Sequence, residues 1–194
     1  MKPRVIASAL LCSATLLSVA VPAVVQASTT APSTSITAKA ARQVTLPTSF
    51  GDFKPANGQL TDTQNQFKTI NPIGHPQVTT TSGIAGNVLK FDGSSAYSMP
   101  VSDAQYAHLT KGMALETTFR YDPKASTSGE HDILSNQNSG GVGLGIENGE
   151  ITFFAHVDGG YKQPTARLKA GQWIHAVGVI DQQAKTVNLY INGQ

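Results

Sequence analysis

Three residues around a glycine turn carry side chains of the kind that sugar-binding sites use. His156, Asp158 and Tyr161 flank Gly159-Gly160, and His156 and Asp158 share one face of an alternating segment. An aromatic ring packs against the apolar face of a sugar, and a carboxylate accepts hydrogen bonds from its hydroxyl groups. We predict that Tyr161 stacks on a sugar and that Asp158 accepts its hydroxyl protons. The alternative is an ordinary surface loop.

The densest cluster of ionisable residues is Glu130-His131-Asp132. Successive side chains of a strand point to opposite faces, so Glu130 and Asp132 lie on one side and His131 on the other. Three ligands arranged in this way do not close one metal site. We predict an exposed strand edge here rather than a metal centre.

The motifs of common hydrolases are absent from the sequence. It contains no Gly-x-Ser-x-Gly nucleophile elbow and no His-Glu-x-x-His zinc motif. A catalytic base would need a nucleophile or a carboxylate as its partner, and none lies at a position in the sequence that matches His175. We therefore expect His175 to be a half-buried strand residue with a satisfied hydrogen bond. Glu147 and Glu150 flank Asn148-Gly149 and are expected to be solvated hairpin ends.

The strands that must position these residues are predicted most clearly near the C-terminus. Two apolar runs, Trp173–Ile180 and Thr186–Ile191, flank a polar break at Asp181–Lys185. Both runs are rich in β-branched and aromatic residues, which favour strands. The first run is apolar on both faces, which predicts a strand buried on both sides, whereas the second alternates. We predict an antiparallel hairpin.

Shorter runs upstream favour the same fold class. Met113–Tyr121 alternates in polarity, and Ser102–Leu109 has the length of one or two helical turns. Val142–Glu147 and Ile151–Val157 flank the two-residue turn Asn148-Gly149. Short strands with turn residues about every 8 to 15 positions are typical of antiparallel sandwiches. The predicted fold class is all-β, an antiparallel β-sandwich or jelly roll.

The pair Asn192-Gly193 favours the type I′ turn of a β-hairpin. Such a turn begins a return strand, and only Gln194 follows it in the sequence. We therefore expect the sandwich to be incomplete at its C-terminus.

The first 27 residues have the pattern of an export signal. Lys2 and Arg4 precede the apolar run Val5–Val21, and Val25-Gln26-Ala27 offers a cleavage site. An uncleaved membrane anchor is the alternative, because the apolar stretch nearly reaches membrane-spanning length. The expected organisation is a signal peptide at 1–27, a Ser/Thr/Ala-rich linker at 28–49 and one domain at 50–194.

Composition restricts the partners and the location of the exported chain. Loss of Lys2 and Arg4 leaves 12 basic against 12 acidic residues, a neutral balance that gives no electrostatic basis for binding nucleic acid or a membrane. Cys12 also lies in the signal, so the exported chain has no disulfide. We expect a secreted or cell-surface protein, and its lack of cysteine favours a bacterial source.

Two motif blocks resemble the laminin-G-like jelly-roll family of the concanavalin A-like lectin/glucanase superfamily. The first block is Gly86-x-x-Leu89-x-Phe91-Asp92-Gly93. The second block combines Gly171-x-Trp173-x-His175, Asp181 and Leu189-Tyr190-x-Asn192-Gly193. The resemblance extends over residues 53–194 and implies a jelly roll in which Trp173 and the Leu189-Tyr190 strand are core residues.

The resemblance also implies a binding role. Such modules bind carbohydrate or protein, and many hold Ca²⁺ through an early Asp, for which Asp62 is the matching position. Catalytic members use a strand with Glu-x-Asp-x-Glu, which this sequence lacks. We therefore predict a secreted, non-catalytic module that binds a glycan or a cell-surface partner.

Two other functions stay open at this point. One is an accessory domain of a secreted hydrolase, a metallophosphoesterase or glycosidase, whose catalytic part lies beyond residue 194. The Asp-x-His and Gly-Asn-His-Glu motifs of metallophosphoesterases are absent from these residues. The other is a structural spacer of a surface adhesin.

Overall fold

A computed structural model describes residues 7–11, 51–107, 112–125, 128–136 and 141–194. The linker expected at 28–49 and most of the expected signal peptide lie outside these ranges. The elements are β1 (Ala7–Leu11), β2 (Phe53–Ala56), β3 (Gln59–Asp62), β4 (Asn71–Ile73), β5 (Gln77–Thr80), β6 (Asn87–Lys90), β7 (Ala96–Ser98), α1 (Asp103–Ala107), β8 (Gly112–Tyr121), β9 (Glu130–Asn136), β10 (Val142–Glu147), β11 (Glu150–Val157), β12 (Gly160–Lys162), β13 (Thr165–Arg167), β14 (Ile174–Asp181) and β15 (Thr186–Ile191).

Two antiparallel sheets form the body of the domain. The front sheet has the strand order β1-β8-β14-β15. The back sheet has the order β12-β11-β10-β9, and β13 also pairs with β11. Three two-stranded sheets, β2-β3, β4-β7 and β5-β6, accompany them. The prediction of an all-β antiparallel sandwich is confirmed.

The core lies between the inner faces of the two main sheets. On β8, alternate residues face inward, and Phe119 is fully buried. On β11, Ile151, Phe153 and Ala155 are fully buried in the same cluster. Alternation of apolar residues with period two therefore assigns each strand its inner face, as the sequence predicts for both.

The structure corrects the prediction that β14 is buried on both faces. Ile174, Ala176 and Ile180 are buried, whereas Val177 and Val179 on the opposite face are only half-buried. The inner face meets the back sheet, but no described element forms a further layer over the outer face. The second apolar face of this strand is therefore a surface of the domain.

Trp173 and Tyr190 also differ from the expected core positions. Trp173 is half-buried, its Nε1 donates to the Ser82 carbonyl oxygen over 3.1 Å, and the Arg120 guanidinium lies 5.1 Å from its ring centroid. Leu189 packs against the core, as expected, but Tyr190 is 45% exposed. Trp173 therefore fixes the loop after β5 to the end of β8, and it is not a member of the central cluster.

The predicted two-residue turns are formed. At Asn148-Gly149 the φ angles are 50° and 83°, and at Asn192-Gly193 they are 52° and 83°. Positive φ at both central residues is the geometry of the type I′ turn, whose twist matches that of the flanking strands. Gln194 N–H donates to the Ile191 carbonyl oxygen over 3.1 Å and so closes the second turn.

Candidate functional site

Two glycines of β10 lie on the outer face of the back sheet. Strand alternation points Gly143 and Gly145 of β10 outward, while Val142, Leu144 and Ile146 enter the core. Gly143 pairs with Phe154, and Gly145 pairs with Thr152.

A cavity of about 310 Å³ occupies this face. Phe154 is only 4% exposed, whereas Tyr161 is 52% exposed, so one ring lies in the floor and the other stands at the rim. The lining residues are Glu130, Glu147, Phe154, Tyr161 and Gln163. Aromatic rings beside carboxylate and carboxamide groups are the chemistry that packs against a sugar and hydrogen-bonds its hydroxyl groups. We refer to these five residues as the back-sheet cavity.

The register of the strands places three glutamates in one row at the end of this face. Glu147 pairs with Glu130 on one side and with Glu150 on the other, and Arg167 follows beyond Glu150. Like charges on directly opposed residues destabilise a sheet. The negative charge of this row favours an uncharged ligand over an acidic one.

A β-bulge in β9 aims two further polar groups at the same face. The register between β9 and β10 shifts at Leu144/Gly145, so that Asp132 pairs with Gly145 and Ser135 with Gly143. Ile133 is the extra residue, and bulges of this kind redirect side chains. Partial burial raises the pKa of the Asp132 carboxyl, its hydrogen bond with Ser135 lowers it, and the charge of Glu130 raises it, with a net upward shift.

The structure brings together two of the three residues predicted to hold a sugar. The His156 and Tyr161 rings meet edge to face, with 5.1 Å between their centroids and 79° between their planes. Their strands are joined by a turn at Asp158-Gly159, where Asp158 has a φ of 57°. Asp158 accepts a 2.9 Å hydrogen bond from Lys185 Nζ and so contacts the turn between β14 and β15. Asp158 is not one of the residues that line the back-sheet cavity. Its role as an acceptor of sugar hydroxyl protons stays a prediction.

Asp62, the position that matches a Ca²⁺ ligand in the sequence, is surrounded by hydrogen-bond donors. Its Oδ1 accepts from the backbone N–H groups of Asp52 and Gln64, over 2.9 and 3.0 Å. Its Oδ2 accepts from those of Gln66 and Phe67, over 2.7 and 3.0 Å. Burial raises the pKa of this carboxyl, but the four backbone hydrogen bonds outweigh burial and lower it. These contacts give Asp62 a structural role in the loop after β3.

The other ionisable residues that the structure describes do not gather into a metal centre. In the described ranges no group of three or more His, Cys, Asp or Glu is placed to hold a metal ion. His175 has the satisfied hydrogen bond that the sequence predicts, but its partner corrects the expectation that no carboxylate matches it, since its Nε2 lies 2.7 Å from Glu116 Oε1. Glu116 is on β8, and the contact lies on the outer face of the front sheet.

A second cavity, of about 500 Å³, lies between the β5–β6 hairpin and the end of β8. Arg120 donates to the Thr81 hydroxyl over 2.9 Å there and stacks on Trp173, so its guanidinium already has partners. Tyr121 is the one aromatic residue in its lining and is buried. This cavity therefore offers no exposed ring for a sugar, which makes the back-sheet cavity the better candidate.

Sequence reasoning missed most of the residues in the back-sheet cavity. Glu130 and Glu147 were expected to be a solvated strand edge and a solvated hairpin end, and Phe154 and Gln163 were not singled out. Strand alternation gave the face on which Phe154 lies, opposite to its neighbour Phe153. The available signal was an outward aromatic residue on a strand beside two outward glycines.

Comparison with known proteins adds one finding. A model of the concanavalin A-like lectin/glucanases superfamily, of the laminin-G type, matches residues 91–194, which is more than half of the chain. No curated protein and no solved structure matches the chain. No helix in the described ranges is long and apolar enough to cross a membrane. From the family match, the chain belongs to the concanavalin A-like lectin/glucanases superfamily as a laminin-G-like domain.

Proposed function

We propose that this domain is a non-catalytic module that binds a neutral glycan on the outer face of its back sheet. Family membership supports binding of carbohydrate or of a partner in general. The observation that favours a glycan is the back-sheet cavity, in which an exposed tyrosine stands beside hydrogen-bonding carboxylate and carboxamide groups. A sugar ring packed on Tyr161 would present its hydroxyl groups to Glu147 and Gln163.

The charge of the site narrows the ligand class. Glu130 and Glu147 line the cavity, and Glu150 continues the row in register. Carboxylates accept hydrogen bonds from neutral hydroxyl groups but repel sulfate, phosphate and uronate groups. Uncharged polysaccharides are therefore the proposed ligands, and polyanionic wall polymers are not.

Replacement of Tyr161 by Ala should weaken binding of a neutral polysaccharide about three- to tenfold, because a stacking contact is worth about 0.5–1.5 kcal/mol. Tyr161→Phe retains the ring and should lose much less. Isothermal titration against soluble neutral polysaccharides measures the effect. Tyr190→Ala is the matched control, since Tyr190 is 45% exposed on the other main sheet.

Three outcomes of this titration would contradict the proposal. The first is that no neutral polysaccharide binds. The second is that Tyr190→Ala weakens binding as much as Tyr161→Ala does. The third is the appearance of new reducing ends during incubation, since that would make the cavity, with its outward Glu130 and Asp132, a hydrolytic site.

We also propose that residues 1–27 are an export signal that is removed, so that the binding domain acts outside the cell. The basic start, the apolar run and the small-residue exit support this proposal. N-terminal sequencing of the protein recovered from the medium of an expressing bacterium should begin at Ser28. Recovery of the chain in the membrane fraction with Met1 or Lys2 at its start would contradict it and favour the uncleaved anchor.

A further inference from the structure

The strand that carries Tyr161 is a short edge strand with little packing of its own. β12 has three residues, Gly160–Lys162, and it lies at one end of the strand order of the back sheet. It follows the turn at Asp158-Gly159, and a Cβ atom added at Gly159 or Gly160 would meet nothing within 4 Å. Segments with few buried contacts open locally at a small cost in free energy. The position of the Tyr161 ring therefore depends on the contacts that the residues around it make.

Two hydrogen bonds join this segment to the front sheet. Lys185, in the turn between β14 and β15, donates from its Nζ to Asp158 Oδ1 over 2.9 Å. The carbonyl oxygen of Lys185 accepts a hydrogen bond from Lys162 Nζ. Asp158 and Lys162 lie on the two sides of Tyr161 in the chain, so one residue of the other sheet holds the segment both before and after the ring. We refer to Lys185, Asp158 and Lys162 as the turn clamp.

Lys185 is itself held in place by its own turn. Asp181 Oδ1 accepts hydrogen bonds from the backbone N–H groups of Gln183 and Ala184, over 2.9 Å each. Lys185 has a φ of 55°, and the pair Asp181–Thr186 closes the ladder of β14 and β15 directly beside it. The base of the turn clamp is therefore part of a hairpin of the front sheet, whereas the edge that it holds belongs to the back sheet.

We propose that Lys185 is a positioning residue of the glycan site, which keeps Tyr161 in the orientation that a sugar ring needs. Lys185 does not line the back-sheet cavity, so it acts through the turn clamp and not by touching the ligand. The edge-to-face contact between Tyr161 and His156 is retained only while β12 stays in place. A side chain that is held in its bound orientation before the ligand arrives lowers the ordering cost of binding. The inference rests on the glycan binding proposed above.

The first experiment measures the binding of soluble neutral polysaccharides to the full chain with Lys185→Met, which removes the ammonium group and keeps an unbranched side chain. We expect binding about two- to threefold weaker, because the loosened turn must then be ordered when the ligand binds. Lys185→Arg keeps the charge and should retain most of the affinity. Lys169→Met is the matched control, since it removes the same charge from an exposed lysine whose ammonium group has no hydrogen bond or ion pair with a residue that the structure describes.

Two comparisons distinguish positioning from a general loss of stability. In a Tyr161→Ala background, Lys185→Met should change binding by less than about 1.5-fold, since the ring on which the turn clamp acts is gone. Sodium chloride raised from about 0.05 M to about 0.5 M should weaken binding by the wild type about twofold and leave Lys185→Met unchanged, because salt screens an exposed ion pair but not a neutral ligand. Equal losses with and without Tyr161, or an equal salt response of the two proteins, would overturn the proposal.

A measurement without ligand separates this inference from the proposed function. Hydrogen exchange over residues 159–162 of the free protein should become about threefold faster in Lys185→Met and stay unchanged in Lys169→Met. Unchanged exchange in Lys185→Met would overturn the positioning role, whatever the polysaccharides do. Faster exchange with unchanged affinity would also overturn it, since the order of the turn would then not matter for binding. Faster exchange in a protein whose wild type binds no polysaccharide would support the hold of Lys185 on this turn and contradict the proposed function instead.

Discussion

Replacement of Gly178 by alanine should lower the free energy of unfolding by about 3 kcal/mol, because it overpacks the core. Gly178 lies in the middle of β14, where a Cβ atom would come within 2.3 Å of Phe153 Cδ2 and 2.4 Å of its Cγ. Phe153 is fully buried in the back sheet, so its ring has no solvent-facing space to move into. The loss of backbone entropy in the unfolded chain, which favours alanine by up to about 1 kcal/mol, is too small to offset this clash.

Urea denaturation of three single variants and of the double variant Phe153→Leu/Gly178→Ala tests this explanation. Gly160→Ala is the control, since a Cβ there meets nothing within 4 Å, and we expect a change of about 0.5 kcal/mol or less. Phe153→Leu removes part of the ring and should make Gly178→Ala less costly than in the wild type. Additive losses for Phe153→Leu and Gly178→Ala would show that the two residues do not share one packing contact.

The sequence was sufficient to predict the strands that build the core. β8, β10, β11 and β15 each carry apolar residues with period two, β14 is apolar on both faces, and the inner faces of these strands meet across the two sheets. The pair Asn148-Gly149 was also enough to predict the β10–β11 hairpin, because the positive φ angles of a type I′ turn are a preference of these two residues themselves. Local patterns of this kind need no knowledge of distant residues.

The smaller strands between residues 53 and 80 were not predicted. β4 is exposed at all three positions and contains Pro72, and β5 is exposed at three of its four positions. Such strands have little apolar alternation, because they do not cover the central core. Their pairing, as of β4 with the distant β7, is fixed by tertiary contacts that a linear pattern does not contain. Pro164 lies between β12 and β13, where a residue without an N–H interrupts strand pairing.

The candidate site shows the same division between local and distant information. His156 and Tyr161 were predicted to act together because a short turn joins their strands, and their rings do meet. Glu130 joins Glu147 and Phe154 only through the register of β9, which includes a bulge at Ile133. Cross-strand register depends on residues far apart in the chain. The position of Glu130 beside Glu147 in the cavity could therefore not be predicted from the sequence alone.

Replacement of Asp62 by alanine should destabilise the domain about as much as the overpacked core does. Asp62→Ala removes the acceptor of four backbone N–H groups, two of them in buried hydrogen bonds. Buried donors without acceptors are costly, so we expect a loss of about 3 kcal/mol in the free energy of unfolding, measured in urea at about pH 7. Thr61→Ala is the matched control on the same strand, because its hydroxyl makes only an exposed hydrogen bond to the Lys54 carbonyl oxygen.

The pH dependence distinguishes the charge of Asp62 from its packing. Its pKa is lowered in the folded protein, so its stabilising contribution is present above the unfolded pKa of about 4 and is lost as the pH falls through the lower folded value. The difference in stability between the wild type and Asp62→Asn should therefore shrink between about pH 5 and pH 2. A difference that stays constant over this range would show that the carboxylate charge is not what the four amides stabilise. In that case, the residue would act through shape alone, and Asp62→Asn would be no more pH-sensitive than Thr61→Ala.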